Sequence, residues 1–183
     1  MSTYSAPIND MQFVVKELIG LDQVSALPGF EEATPDLVDA VLAQRPTRPS
    51  DVDRRILAVA AFRNLPEAAS LAAANKRIRN ILRKSDEDLP LKPAVELLQE
   101  QSEKELALLV SEQAERVAPL FGAGRYTEAL TQLAQLREPV DRFFDDVMVM
   151  ADDDDVRTNR LALLGGLRAL FLDVADISRL SIA

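Results

Sequence analysis

Apolar residues recur three and four positions apart along most of this chain of 183 residues. That spacing places them on one face of an α-helix, which turns about 100° per residue. Strict alternation of apolar and polar residues, the pattern typical of strands, is rare, whereas the helix formers Ala, Leu, Glu, Gln and Arg are abundant. The pattern therefore predicts an all-α protein.

Two short helices are predicted at the start of the chain. Asn9 followed by Gln12 is a capping-box-like start of the first helix. Thr34 and Pro35 provide the N-cap and the first helical residue of the second helix. We expect these helices to form an N-terminal helical hairpin, and we assign residues 1–43 to this leader.

The rest of the chain, residues 44–183, is predicted to fold as one antiparallel helical bundle, because its helices are joined by short connections. Breaks between the helices are expected at prolines, glycines and polar runs, namely at 45–49, Pro66, 85–93, 119–124 and Pro139. Ser102 with Glu105 forms a second capping-box pattern. This pattern indicates a further break inside the long helix that ends near Val117.

Two adjacent glycines, Gly165 and Gly166, interrupt the last predicted helix. Each glycine costs up to about 1 kcal/mol relative to alanine in a helix interior. Either another helix approaches closely at this position, or the pair is a weak point in the helix.

A basic stripe runs along the helix predicted to follow Pro66. One arc of this helix is apolar and contains Leu71, Ala74, Ile78, Ile81 and Leu82. The opposite arc contains Lys76, Arg77, Arg79, Asn80, Arg83 and Lys84. Such a helix packs with one face and presents cations with the other. The stripe therefore favours a localised anionic partner.

The net charge of −9 is unevenly distributed. Residues 44–84 hold ten basic residues against three acidic ones, a net charge of +7. Residues 1–43 hold one against seven (−6), and residues 85–183 hold ten against twenty (−10). Phosphate contacts depend on the local patch rather than on the average charge. A nucleic acid is therefore expected to bind the central segment, where Arg54 and Arg55 extend the candidate site beyond the stripe.

The chain contains neither histidine nor cysteine. Histidine-based catalysis, thiolate nucleophiles and the commonest zinc ligands are thereby excluded, and we expect no catalytic residue, no cofactor and no metal site. The first residues lack the basic and apolar regions of a secretory signal, and charges interrupt every long apolar stretch. We expect a cytoplasmic protein without membrane contact.

Two long segments resemble a known family. Residues 60–82 and 124–180 are similar to the C-terminal anticodon-binding region of bacterial glycyl-tRNA synthetase beta subunits. Their sequences are AAFRNLPEAASLAAANKRIRNIL and GRYTEALTQLAQLREPVDRFFDDVMVMADDDDVRTNRLALLGGLRALFLDVADISRL. The likeness extends from about residue 41 to the C-terminus and preserves the order of the segments. It implies a helical bundle that contacts the anticodon part of a glycine-accepting tRNA.

The same resemblance implies that the chain is not an enzyme by itself. In this family a separate alpha subunit activates glycine. The chain is therefore expected to be a tRNA-binding module that supports aminoacylation in a complex with that alpha subunit, which it would contact through regions that this sequence lacks.

The start of the chain carries a second resemblance. TYSAPINDMQFVVKELIGLDQVSALPGFEEATPDLVDAVL (residues 3–42) is similar to the N-terminal leader helices of a branch of the acyl-CoA dehydrogenases. At residues 37–43, around the junction of the two resemblances, both families carry similar helix sequences, which predicts a chimera joined through a shared helix. An amphipathic leader has to bury Phe13, Val14 and Leu18 against the bundle or against a second copy, which would give a homodimer.

Other interpretations of these residues stay open. A solvated helix face that only improves solubility is the alternative to a tRNA-facing stripe. Recognition of bases would need exposed rings or amides, for which Asn75, Asn80 and Phe62 are the nearest candidates, although Phe62 fits the core better. A second candidate function is a helical interaction protein that self-associates through its leader and has no enzymatic role.

Acidic and large apolar residues near the C-terminus also admit two interpretations. The four acids at 152–155 are expected to cap the following helix rather than to bind a metal ion, because the spacing of an EF-hand is absent. Phe143, Phe144, Met148 and Met150 stand at helical spacing and are expected in the core rather than in a ligand pocket.

Overall fold

The computed structural model describes residues 34–85 and 89–182, which form seven α-helices and no strand. The helices are α1 (Pro35–Leu42), α2 (Pro49–Arg63), α3 (Ala68–Lys84), α4 (Gln101–Gly122), α5 (Tyr126–Ala134), α6 (Arg137–Asp146) and α7 (Asp154–Leu172), with 3₁₀ turns at Val95–Leu97 and Ile177–Arg179. The all-α prediction is confirmed for these residues. The first predicted helix, which begins at Asn9, and the packing of the leader lie outside the described residues.

Apolar side chains from all seven helices form one core. Phe62 of α2 packs against Phe171 of α7, with the ring centroids 6.3 Å apart. Burial of one large apolar side chain contributes roughly 1.5–3 kcal/mol. This packing, more than intrinsic propensity, stabilises the short helices, since isolated helices of such length are marginal in water.

Helix α1 belongs to this core. Its large apolar residues are at most 2% exposed, and they are Leu37, Val38, Val41 and Leu42. The carbonyl of Ala40 accepts a hydrogen bond of 2.8 Å from the backbone N–H of Asp176, at the far end of the chain. The predicted start of this helix at Thr34 and Pro35 is confirmed. Residues that the predicted division at position 43 assigns to the leader thus pack with the bundle.

The start of α4 differs from the prediction. The carboxylate of Glu103 accepts hydrogen bonds from the backbone N–H groups of Gln99 and Glu100, at 2.9 and 2.8 Å, so the helix begins directly after Glu100. The predicted capping box of Ser102 with Glu105 is wrong. Because Ser102 faces the core, its hydroxyl is buried and has no hydrogen-bond partner among the described residues.

The end of α4 also differs from the prediction. Pro119 lies inside the last turn, and the helix continues to Gly122. The expected turn over residues 119–124 therefore begins late, at Ala123, and contains Gly124, whose φ is +67°. Only glycine adopts this conformation easily. A Cβ atom at Gly124 would also lie 2.6 Å from the guanidinium of Arg54, so this half-exposed side chain would have to move as well.

Replacing Gly166 by Ala should stabilise the protein. No heavy atom beyond the backbone of α7 itself lies within 4 Å of a Cβ added at Gly165 or Gly166, so the glycines serve no close approach of another described helix. We expect Gly166→Ala to raise the free energy of unfolding by up to about 1 kcal/mol in urea denaturation. Gly124→Ala is the control and should lower it. A destabilised Gly166→Ala variant would contradict this explanation.

Within residues 34–85 and 89–182, no single helix has the length and apolar composition needed to cross a membrane. Helices α2 and α3 meet those criteria only when they are taken together, and they are bent by 112° relative to each other.

Candidate nucleic-acid interface

Helix α3 carries the predicted basic stripe. Its inner face packs against α6, α7 and the 3₁₀ turn at Ile177–Arg179. The residues buried on this face are Ala68, Leu71, Ala72, Ala74, Asn75 and Ile78. The small alanines let α3 lie close to its neighbours, while Leu71 and Ile78 fill the core. This one-sided burial fixes which residues the helix presents outward.

The outer face of α3 is basic. The exposed residues of the predicted stripe are Lys76, Arg77, Asn80, Arg83 and Lys84. Within the part of the chain that the structure describes, none of these four cations forms an ion pair. Most other arginines of the bundle are paired with carboxylates. The outer face of α3 therefore concentrates cations that are free to contact an external anion.

A shallow groove of about 370 Å³ runs along this outer face. Its lining residues form two rows at a spacing of four residues, Ala73, Arg77 and Ile81 in one row and Lys76, Asn80 and Lys84 in the other. Rows at this spacing are neighbouring ridges of a helix surface. One wall of the groove is therefore partly apolar, and the other carries two lysine ammonium groups and the side-chain amide of Asn80.

Arg77 is held in place by an aromatic ring of α6. Its guanidinium carbon lies 4.2 Å from the ring centroid of Phe144. Phe144 in turn packs edge-on against the fully buried Phe143, with centroids 5.5 Å apart and planes at 77°. The predicted core position of Phe143 is confirmed, whereas Phe144 is half-buried and borders the basic face.

Arg79 does not share the outer face of α3. It is half-buried, and its Nη1 donates a hydrogen bond of 3.1 Å to the hydroxyl of Ser178. The reason is geometric, because Arg79 lies about 80° around the helix from buried Leu71. Asn75 and Phe62, proposed as base-recognising candidates, are 2% and 1% exposed and belong to the core. Asn80 is the exposed amide of the set.

Arg54 lies on a separate surface at the start of α2. About half of its side chain is exposed, and it is 3.6 Å from the carboxylate of Asp51. It lines a depression of about 380 Å³, together with Arg48 and the turn that contains Gly124. Arg54 thus remains accessible to an anion, although Asp51 already offsets part of its charge.

Arg55 is directed inward and connects three helices. Its Nε donates to Asp51 at 2.7 Å, and its Nη1 donates to the carbonyls of Asp173 and Val174 at 2.6 and 2.8 Å. The guanidinium also lies 4.5 Å from the ring centroid of Tyr126. The predicted tRNA-binding role does not suit this position, because the donors of Arg55 are already engaged in holding α2 to α5 and to the end of α7.

The same cluster shifts the pKa of two groups. Burial alone would raise the pKa of Asp51, but hydrogen bonds from Tyr126 and Arg55 outweigh burial and bring that pKa below its ordinary value. The phenol of Tyr126 donates to Asp51 at 2.6 Å. Burial and this hydrogen bond raise the pKa of Tyr126. Both groups therefore keep their structural charge state at neutral pH.

The acidic run at 152–155 caps α7. The Asp153 carboxylate accepts a hydrogen bond of 3.0 Å from the backbone N–H of Val156, and two acids follow in the first turn. The capping prediction is confirmed, and no group of metal-ligating residues occurs in the described ranges. Met148 and Met150 are 74% and 56% exposed, so their predicted core position is wrong.

A protein-family model described as the DALR anticodon binding domain matches residues 71–177. The match covers more than half of the chain, from the first turn of α3 through α7. The fold and the match define an anticodon-binding domain, and the chain belongs to the DALR anticodon-binding family.

Comparison with curated proteins shows which anticodon-binding proteins the chain is similar to. The chain is 59% identical over 145 residues to the glycine–tRNA ligase beta subunit of Aliivibrio fischeri (strain MJ11), and 61% identical over 145 residues to that of Shewanella amazonensis. It is 62% identical over 146 residues to the beta subunit of Marinobacter nauticus. Each alignment covers 79% of this chain and 21% of the relative. The chain thus spans about a fifth of the length of the curated relatives it matches.

Proposed function

We propose that this chain is the tRNA anticodon-binding module of a glycine–tRNA ligase beta subunit, and that the outer face of α3 holds phosphates of the anticodon arm. The observation that carries the proposal is the row of exposed, unpaired cations at Lys76, Arg77, Arg83 and Lys84, counted within the described residues, in a protein of net charge −9. The family membership and the glycine–tRNA ligase relatives support the identity of the partner.

The size of this face suits a phosphate backbone. From Lys76 to Lys84 the helix rises about 12 Å at 1.5 Å per residue. Phosphates of one duplex strand advance about 3.4 Å along the helix axis. Several consecutive phosphates can therefore lie along the face, and each neutralised phosphate releases close to one counterion. Binding should accordingly weaken as the salt concentration rises. Arg54 is the proposed additional contact, on its separate surface.

We propose further that the chain contributes binding and no chemistry. It has no histidine or cysteine, and catalysis would belong to an alpha subunit bound through regions outside this sequence. Three expectations stay predictions. They are the resemblance of residues 3–42 to an acyl-CoA dehydrogenase leader, the cytoplasmic location, and a homodimer formed through that leader. The interaction-protein alternative depends on the same leader, which lies mainly outside the described residues.

Binding to parts of a tRNA tests this function. The full chain should be titrated, at two salt concentrations, with a glycine tRNA, its isolated anticodon stem-loop, its acceptor-arm minihelix and an unrelated tRNA. We expect the stem-loop to retain most of the affinity of the whole glycine tRNA, and the minihelix to bind much more weakly. Equal binding of the minihelix and the stem-loop would contradict the proposal.

A further inference from the structure

The pairing of Arg77 with Phe144 is unusual among the cations of this face. Lys76, Arg83 and Lys84 extend from α3 without an aromatic neighbour in the described residues, whereas Arg77 lies over a ring at 4.2 Å. The ring is itself fixed, because Phe144 packs against buried Phe143. An exposed arginine is thus held against a fixed aromatic ring.

A guanidinium held in this way is prepared for stacking. The central carbon of the guanidinium lies over the ring of Phe144, while Arg77 as a whole is exposed. In RNA recognition, unpaired bases stack on aromatic rings and on arginine guanidinium planes. A side chain that is already ordered loses less entropy when its ligand binds. The contact with Phe144 therefore lowers the cost of presenting this plane.

The groove beside Arg77 offers what a base needs in addition to a stacking plane. Ala73 and Ile81 flank Arg77 in its own row and leave a partly apolar wall. In the second row Asn80 carries both a donor and an acceptor for the edge of a base. Lys76 and Lys84 lie on either side of Asn80 and suit the phosphates that flank the same nucleotide.

We propose that Arg77 is a stacking platform for one unpaired base of the anticodon loop, an inference that rests on the proposed function. Phe144 positions Arg77, and Asn80 faces the edge of the same base. A paired base in a duplex has no free face to stack, so the platform would select the loop over the stem. Phe144 acts through Arg77 and is a positioning residue.

Two variants separate stacking from simple charge. Arg77→Lys keeps the positive charge but removes the plane, and Phe144→Leu keeps apolar volume but removes the ring. If Arg77 stacks, each variant should bind the anticodon stem-loop about 5- to 150-fold more weakly, the range of base stacking in single-strand binders. Arg116→Lys is the matched control, because Arg116 is exposed on α4, outside the α3 face, and has no ring beneath it in the described region; the affinity of this variant should stay within twofold of the wild type.

Abasic substitutions identify the base. Each loop nucleotide of the stem-loop is replaced in turn by an abasic one, and binding to the wild type and to Arg77→Lys is compared. We expect one loop position at which the abasic change weakens binding to the wild-type protein. At that position it should lower the affinity of the Arg77→Lys protein little further. Circular dichroism should show unchanged helicity for both proteins.

Several results would overturn the platform. Arg77 is an ordinary phosphate contact, and the proposed function still stands, in either of two cases. Arg77→Lys binds as tightly as the wild type, or Arg77→Lys lowers the affinity by the same factor for every abasic stem-loop. If the wild type binds neither the stem-loop nor the whole tRNA, both proposals are wrong. Loss of binding in Phe144→Leu that persists in an Arg77→Ala background would show that Phe144 acts by itself.

Discussion

Replacing Glu103 by Gln should lower the free energy of unfolding by about 3–5 kcal/mol. The side chains of Glu103 and Arg160 are 0% and 5% exposed, and Arg160 Nε donates to Glu103 at 2.6 Å. Arg160 also donates to the carbonyl of Met148 at 2.8 Å. The substitution would leave the charge of Arg160 buried without its counterion and would weaken the cap of α4.

Urea denaturation of a matched pair measures this effect. Glu105 lies on the same helix and pairs with Arg142 at 2.7 Å, but both of those side chains are more than a third exposed. Glu105→Gln should therefore cost less than about 1 kcal/mol. Replacing Glu103 by Leu and Arg160 by Met together should recover much of the lost stability, since no buried charge then remains. Equal destabilisation by the two glutamine variants would contradict this explanation.

The same ion pair should contribute to acid sensitivity. Burial alone would raise the pKa of Glu103, but hydrogen bonds from Arg160 and from the backbone of Glu100 and Gln99 lower it below the ordinary 4.5. A carboxylate whose pKa is lowered by folding adds stability above its unfolded pKa and loses it as the pH falls through the folded pKa. We expect unfolding stability to fall below about pH 4.5, and less steeply in Glu103→Gln.

Local patterns predicted much of the fold. Helical periodicity gave the all-α class, and the wheel of α3 separated buried Leu71 and Ile78 from exposed Lys76 and Lys84. These features depend only on residues that are a few positions apart. The breaks of the chain are also local, so prolines and glycines indicated most of them to within about one helical turn.

Contacts between distant residues could not be predicted in this way. Arg55 and Arg54 are neighbours in the sequence, yet the carbonyls 118 and 119 positions away turn only Arg55 inward. Glu103 is separated from Arg160 by 57 residues, so the ion pair was not recognisable. The cap that Glu103 forms with the backbone of Gln99 and Glu100 is local, but glutamate is not among the residues preferred at an N-cap, and the pattern of Ser102 with Glu105 pointed elsewhere. Arg79 is different, because its predicted place on the arc opposite the apolar residues was wrong for a local reason. It lies only about 80° around the helix from Leu71, which is beside the apolar arc.

Replacing Lys76, Arg83 and Lys84 by Gln should remove most of the affinity for tRNA, with a loss of at least tenfold at moderate salt. Each lost phosphate contact should also lower the slope of log affinity against log salt concentration by up to about 1. Glutamine is a good helix former, so α3 should persist. Arg77 is left unchanged, so that this test of charge stays independent of the stacking proposal.

The most direct test of tRNA binding by the α3 face is the slope of log affinity against log salt concentration. This slope is compared with that of a control variant whose net charge changes by the same amount. Lys92, Lys104 and Arg116 are exposed cations on other parts of the bundle, and their replacement by Gln changes the net charge by the same three units. Anticodon stem-loop binding is titrated over several salt concentrations for both triple variants and the wild type. We predict a slope reduced by about 2–3 in the α3 variant and a wild-type slope in the control. Equal slopes in the two variants would contradict the assignment of tRNA binding to α3.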